Sequence, residues 1–266
     1  VVPRASRGAA LHYFTGSKAH NIAVRRRGVE RGLKVNEYGV FRGEERVAGE
    51  TEEAVYASVG LAWVPPELRE GRGEVEAAAA GRLPRLLTRA DLRGDLHSHT
   101  HYSDGHDTLA DMARAAADLG YAYLAVSDHS RRVTMAHGLD ERRLREQMEA
   151  IDALNAEMDG VVLLKACEVD ILEDGSLDLP DTVLGELDLT VCSIHYGFDL
   201  PRERQTARVL RAMDNPHFNI LGHPTGRLIG EREPYAVDLE AVVSGARERG
   251  CILELNANPE RLDLSD

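Results

Sequence analysis

The sequence predicts an α/β protein: a parallel sheet, closed into a barrel or left open, preceded by a small α+β segment. Three observations predict it. From residue 93 onward, short β-branched apolar runs alternate with helical stretches, the pattern of parallel strands joined by crossover helices. Five consecutive strands of that series deliver a residue able to bind a cation at their carboxyl ends, where a parallel barrel builds its site. Between the two parts, residues 67–91 are charged and rich in small residues, which reads as an interdomain connection with a short helix at 74–81. The expected division is a first domain over 1–66, a linker over 67–91 and a second domain over 92–266.

Composition sets the outer limits. Of 266 residues, 43% are hydrophobic and 29% charged, ample for a core. No apolar run reaches the roughly eighteen residues of a membrane span, and Val1-Val2-Pro3-Arg4 is not a signal peptide. No membrane partner is expected. Cys167, Cys192 and Cys251 lie in apolar runs without a Cys-x-x-Cys pair, as reduced core thiols of a cytosolic protein do. The net charge of −13 is uneven: residues 1–43 carry nine basic and two acidic side chains, whereas 67–266 carry 22 basic and 38 acidic. A basic front end suits a polyanion, and an acidic remainder suits cations or is a solvated surface.

Taken in order, residues 9–14 read as a strand, Thr15-Gly16-Ser17 as a turn, and Ser17 as the cap of a helix over 18–31 that Gly32 ends. Short strands follow at 33–35 and 39–41. Thr51 opens another helix to about residue 61, and Pro65-Pro66 stops it. In the second domain the strands fall at 94–99, 121–128, 161–171, 187–194, 218–222 and 251–256, and the helices near 109–119, 141–158, 201–213 and 239–249.

The strand ends carry the chemistry. Alternate side chains of a strand share a face, so His97 and His99 project together, and Asp104 follows in the next turn. The second strand ends in Asp128-His129, the third carries Glu168, the fourth ends in His195 and the fifth in Gly222-His223-Pro224. Glu168 lies in an otherwise apolar strand, and a buried carboxylate needs a cation. The remaining histidines, His12, His20, His101, His106, His137 and His217, fall off the pattern and read as surface or packing residues.

Two resemblances cover most of the chain. Tyr13-Phe14-Thr15-Gly16-Ser17, with Asn21, Arg25 and Asn36-Glu37-Tyr38-Gly39, resembles the thumb subdomain of family X DNA polymerases. That likeness implies that Tyr13, Phe14 and Gly16 lie against the sugar of an incoming dNTP, and that Asn21 and Arg25 reach the DNA. The ligand set from His97 to Gly222-His223-Pro224 resembles the polymerase and histidinol phosphatase (PHP) domain, which implies a distorted (β/α)7 barrel holding up to three metals. Thumb followed by PHP domain is the arrangement of bacterial family X polymerases, which implies a cytoplasmic, nucleoid-associated repair enzyme, and a monomer is expected.

The same resemblance implies the roles. His97, His99 and Glu168 would bind one metal and act as the catalytic core, Asp104 and His129 a second, and His195 and His223 a third, with Glu168 bridging. The expected ions are Mn2+, or Zn2+ or Fe2+, with Mg2+ serving polymerisation in the intact protein. The expected reaction is hydrolysis at DNA 3′ ends, gapped or 3′-recessed: a 3′–5′ exonuclease, with abasic-site endonuclease or 3′-phosphatase activity as variants. Arg131, Arg132 and Arg227 would contact phosphates. Two departures accompany this: the family's polymerase palm lies upstream of the thumb, and an Asp-x-His pair of its last barrel strand is not in this sequence. The chain as given is therefore expected to bind metal weakly at the first two sites and to cleave DNA poorly. The competing readings are a small-molecule phosphatase of the histidinol-phosphatase type and a non-catalytic DNA-binding module.

Overall fold

The computed structural model describes residues 1–264, and the chain divides into two compact units, Val1–Leu87 and the residues from Thr88 on. In the first unit, helices α1 (Arg7–Phe14), α2 (Lys18–Glu30), α3 (Glu52–Ser58) and α4 (Glu74–Ala79) accompany an antiparallel sheet of order β1 (Lys34–Asn36), β2 (Gly39–Arg42), β3 (Glu45–Ala48). Ser17 and Thr51 cap α2 and α3 as expected, accepting from the backbone N–H of His20 and Ala54. Val24, Val35, Val40, Val55 and Val59 form the centre of its core.

Three expectations change here. Residues 9–14 are helical rather than extended: Ala9 and His12, three apart, are buried while Leu11 and Phe14 are exposed, which is a helical period. Strand β3 was not anticipated because none of its four residues is fully buried, so it offers no apolar alternation. Residues 67–87, read as a linker, pack with the first unit. Val75 and Ala78 of α4, one turn apart, join its core, and the Glu74 carboxylate accepts from His20 Nδ1 at 2.5 Å.

The second unit alternates β4 (Gly94–Ser98), α5 (Leu109–Asp118), β5 (Tyr123–Val126), α6 (Glu141–Glu157), β6 (Val162–Asp170), α7 (Asp181–Leu184), β7 (Leu189–Ser193), α8 (Arg202–Ala212), β8 (Ile220–Leu221), α9 (Leu239–Arg249) and β9 (Ile252–Leu253). All six strands are parallel, and their spatial order from β4 to β9 is their order in the chain. The described residues thus supply six of the seven strands that the resemblance implies. Thr108, Asp140 and Asp238 cap α5, α6 and α9 through their side-chain oxygens. One apolar cluster joins Leu109 and Ala113 of α5 and Ile151 of α6 to Leu124, Val126 and Leu163 of the sheet, and a larger one surrounds Cys167, Val169, Cys192 and Leu221. Cys167 and Cys192 are buried free thiols, and burial pushes the Cys192 thiol up to about 12. The sheet curls: His97 on β4 reaches Glu254, just past β9, so side chains at its two edge strands meet.

Candidate metal centre

The curl and the parallel register bring the strand-end residues to one place. Glu168, two residues before the end of β6, is 1% exposed and is ringed by five imidazoles. Its Oε2 lies 3.3 Å from His97 Nε2, 3.2 Å from His99 Nε2 and 3.0 Å from His129 Nδ1. Its Oε1 lies 3.2 Å from His195 Nε2 and 2.8 Å from His223 Nε2. Asp104 faces His99 Nδ1 at 2.8 Å and His129 Nε2 at 3.4 Å. The cluster lines a cavity of about 1060 Å³, walled also by Tyr123, Val133, Met135, Tyr196 and Arg261.

Local structure aims each group. Asp128 is fully buried and accepts from the backbone N–H and hydroxyl of both Thr100 and Ser103, and from the Gln147 amide, so it fixes the turn that presents Asp104. Gly222 lies where a Cβ would meet Ser193 Oγ at 2.4 Å, so only glycine lets β8 end this close to β7. His223 follows it with φ of 26°, a positive value a non-glycine residue holds only under strain, and the strain turns its ring onto Glu168.

Burial alone would lower each imidazole and raise the carboxyl, but here mutual attraction outweighs it for most of the cluster. The carboxylates of Glu168 and Glu254 hold His97 up to about 10 against its burial, and His99 and His195 rise to about 9 against theirs through Glu168 with Asp104 or Asp170. Glu168 is held well below the carboxylate range despite complete burial, chiefly by His97 and His195. Hydrogen bonds from His129 and His99 lower Asp104. His223 alone among the five is lowered, because burial dominates there.

These residues fit a cation. His99 Nε2, His129 Nδ1 and His195 Nε2 are buried without an aligned hydrogen bond, although each lies within 3.2 Å of the Glu168 carboxylate. Nitrogens that converge on a carboxylate while misaligned for donating to it are arranged as lone pairs around a shared ion. A mixed imidazole and carboxylate set suits Zn, Mn or Fe. Three groups have donor atoms all within 4.8 Å of one another: His97 with His99 and Glu168, His99 with Asp104 and His129, and His129 with Glu168 and His195. The first matches the expected set. The second adds His99, and the third pairs His195 with His129 where His223 was expected.

Two carboxylates that the sequence reading did not use complete the cluster. Asp170, at the end of β6, accepts from His195 Nδ1 at 3.1 Å and pairs with Arg132 at 3.1 Å. Glu254 accepts from His97 Nδ1 at 2.6 Å. Glu254 directly follows the sixth strand, so the strand-end rule carried one strand further would have found it.

The expected DNA-contacting residues are placed less uniformly. In the first unit Tyr13 and Phe14 pack edge to face at 5.1 Å, and Phe14 is 75% exposed. Gly16 has φ of 90°, and a Cβ there would meet Arg69 Cβ at 2.4 Å. The Asn21 amide donates to the carbonyls of Tyr13 and Ser17, which ties the turn to α2, while Arg25 is exposed. In the second unit Arg131 is exposed near Glu141, and Arg132 lies over the Tyr196 ring beside Asp170. Arg227 instead donates to the carbonyls of Arg261 and Leu262, so its guanidinium holds the chain after β9.

Comparison with known proteins agrees with this geometry. Residues 95–258 match the PHP domain family and residues 10–70 the DNA polymerase beta thumb. The chain therefore belongs to the PHP domain family, with a polymerase-type thumb ahead of that domain. The DNA polymerase/3′-5′ exonuclease PolX of Bacillus subtilis (strain 168) is 44% identical over 256 residues, 96% of this chain and 45% of that protein. A probable phosphatase of Thermoanaerobacter sp. (strain X514) is 33% identical over 168 residues, 61% of this chain and 63% of the relative. The chain thus spans about half the length of the first relative and under two thirds of the second. Histidinol phosphate phosphatase from Lactococcus lactis, solved with zinc, L-histidinol and phosphate, is 18% identical, with a TM-score of 0.44 over 62% of this chain and 73% of that one.

Proposed function

We propose that the second unit hydrolyses DNA phosphodiesters at 3′ ends in a metal-dependent reaction, as a 3′–5′ exonuclease, while the first unit contacts the DNA. The observation that carries this reading is the single buried carboxylate shared by five imidazoles, with Asp104 beside it, in an open cavity at the carboxyl ends of parallel strands. Bound Mn2+, or Zn2+ or Fe2+, would supply charge to hold phosphate oxygens and acidity for an attacking water. The chain's own part is to set the ligand positions: Glu168 fixes the spacing of the imidazoles, and Asp104 draws His99 and His129 to the outer side of the cluster. The exposed Arg131 and Phe14, on their separate units, offer a phosphate contact and a stacking face.

Phosphomonoester hydrolysis is the second reading, favoured by the similarity of the chain to probable phosphatases. The deciding experiment is Mn2+-dependent digestion of a 3′-recessed duplex, run beside release of phosphate from histidinol phosphate, with metal content measured on the same samples. Removing a ligand should exceed the 10–100-fold effect typical of groups that only support one, so His97→Ala and Glu168→Ala should lose roughly 100-fold or more. Variants that digest DNA as fast as the parent would sink the assignment. A parent that hydrolyses histidinol phosphate but not DNA would select the second reading.

A further inference from the structure

Among the described residues, β4 pairs only with β5 and β9 only with β8, so at these two edge strands the centre is least held by the main chain. His97 sits on the first edge, and Glu254 follows the second, positioned by a backbone bond from its N–H to the Leu221 carbonyl at 3.0 Å. The Glu254 side chain is largely buried, 11% exposed, and both its oxygens are engaged. Oε1 accepts from His97 Nδ1 at 2.6 Å, and Oε2 accepts from the backbone N–H of His223 at 2.5 Å and from the Asn256 amide at 3.2 Å. The carboxylate thus touches one imidazole through its ring and the strained His223 through its backbone. Glu254 belongs to none of the three-residue groups that could hold an ion.

We infer that Glu254 is a positioning residue: it fixes the tautomer of His97 and the backbone of His223 between the strands β4 and β9, so that both rings present a nitrogen to the centre. The inference rests on the metal-centre reading above and deepens it. With the Nδ1 proton held by Glu254, the proton a bound cation displaces comes from Nε2, 3.3 Å from Glu168, and the lone pair it leaves there is the one a metal ligand needs. The role requires two acceptor oxygens, because its two main partners, His97 Nδ1–H and His223 N–H, both donate. An amide of the same shape has one oxygen and one NH2. In Glu254→Gln either the NH2 faces His97 Nδ1, forcing the proton onto Nε2 and blocking coordination, or it faces the His223 N–H, donor against donor.

That asymmetry makes the isosteric change the informative one. The experiment is direct titration of metal-free full chain with Mn2+ and with Zn2+, for the parent, Glu254→Gln, Glu254→Asp, His97→Ala and the His97→Ala/Glu254→Gln double variant. Histidine 15N NMR of the Zn2+ form reports the His97 tautomer. Folding of each variant is confirmed by its circular dichroism. Glu254→Gln should weaken the ion nearest His97 by about 10–100-fold, Glu254→Asp should recover part of that loss, and the tautomer signal of His97 should change. On the His97→Ala background, Glu254→Gln should cost little more. Glu254→Gln with parental affinity and an unchanged His97 signal overturns the inference and leaves the metal centre standing. A parent that takes up no metal overturns the proposed function itself.

Discussion

At the scale of single residues, the centre depends on close approaches that tolerate little change. Gly222 is the sharpest case, since a Cβ would also meet Val191 Cγ1 at 2.7 Å. Gly222→Ala should push β8 from β7 and destabilise the second unit by about 1–3 kcal/mol, and it should lower metal affinity because His223 follows directly. Urea unfolding with and without Mn2+ checks both effects; an unchanged midpoint in both would contradict the packing argument. The seven ligand candidates were legible in the sequence because their residue types are chemically loud and their register is regular. Asp170 was not, because a carboxylate that supports a histidine looks in sequence like any surface acid, whereas Glu254 follows a sixth strand to which the strand-end rule had not been carried. Arg227 misled for a related reason: an arginine beside a ligand motif can equally well tie down a loop through carbonyls, as this one does.

At the scale of elements, the first unit is held by a buried polar chain that links four helices. The Glu74 carboxylate bonds His20, His20 bonds Tyr56 at 2.7 Å, and His12 Nδ1 lies 3.3 Å from the same hydroxyl. Burial, with His20 and Arg69 adding repulsion, lowers His12 to about 4 from 6.5, against the opposing pull of Glu52. Because its folded value lies below its unfolded one, His12 contributes stability that is complete above pH 6.5 and is lost as pH falls toward 4. Between pH 7 and pH 5 the loss should be about 2 kcal/mol. Amide hydrogen exchange in α1 and α2 should speed up accordingly, and protection that stays constant over that range would contradict the linkage. This chain also explains why α1 was misread. With a histidine on its buried face and Leu11 and Phe14 exposed, its apolar residues trace no single stripe. The inner strands β5 to β8 of the second unit were legible because their burial demands apolar runs. The polar edge strand β3 had no such constraint.

At the scale of the molecule, the two units have separate cores, and the chain from residue 84 to 93 between them carries no helix or strand beyond the short turn Arg89–Asp91. Brief trypsin treatment should therefore cut first at Arg85, Arg89 or Arg93 and leave two resistant fragments. Early cuts outside residues 84–93 would contradict the division. The order of strands carries a further meaning, in time. Each new strand of the sheet joins the edge left by the one before, so the cluster is assembled in the order of synthesis. A nascent chain that has emerged as far as Glu168 offers that carboxylate three of its five imidazoles, and the other two arrive only with residues 195 and 223. Until then a charge destined for full burial lacks its partners, and such a charge resists burial. The second unit cannot close its centre early in translation. Its half-made forms keep that surface wet and open to chaperones and proteases until His223, and then Glu254, leave the ribosome.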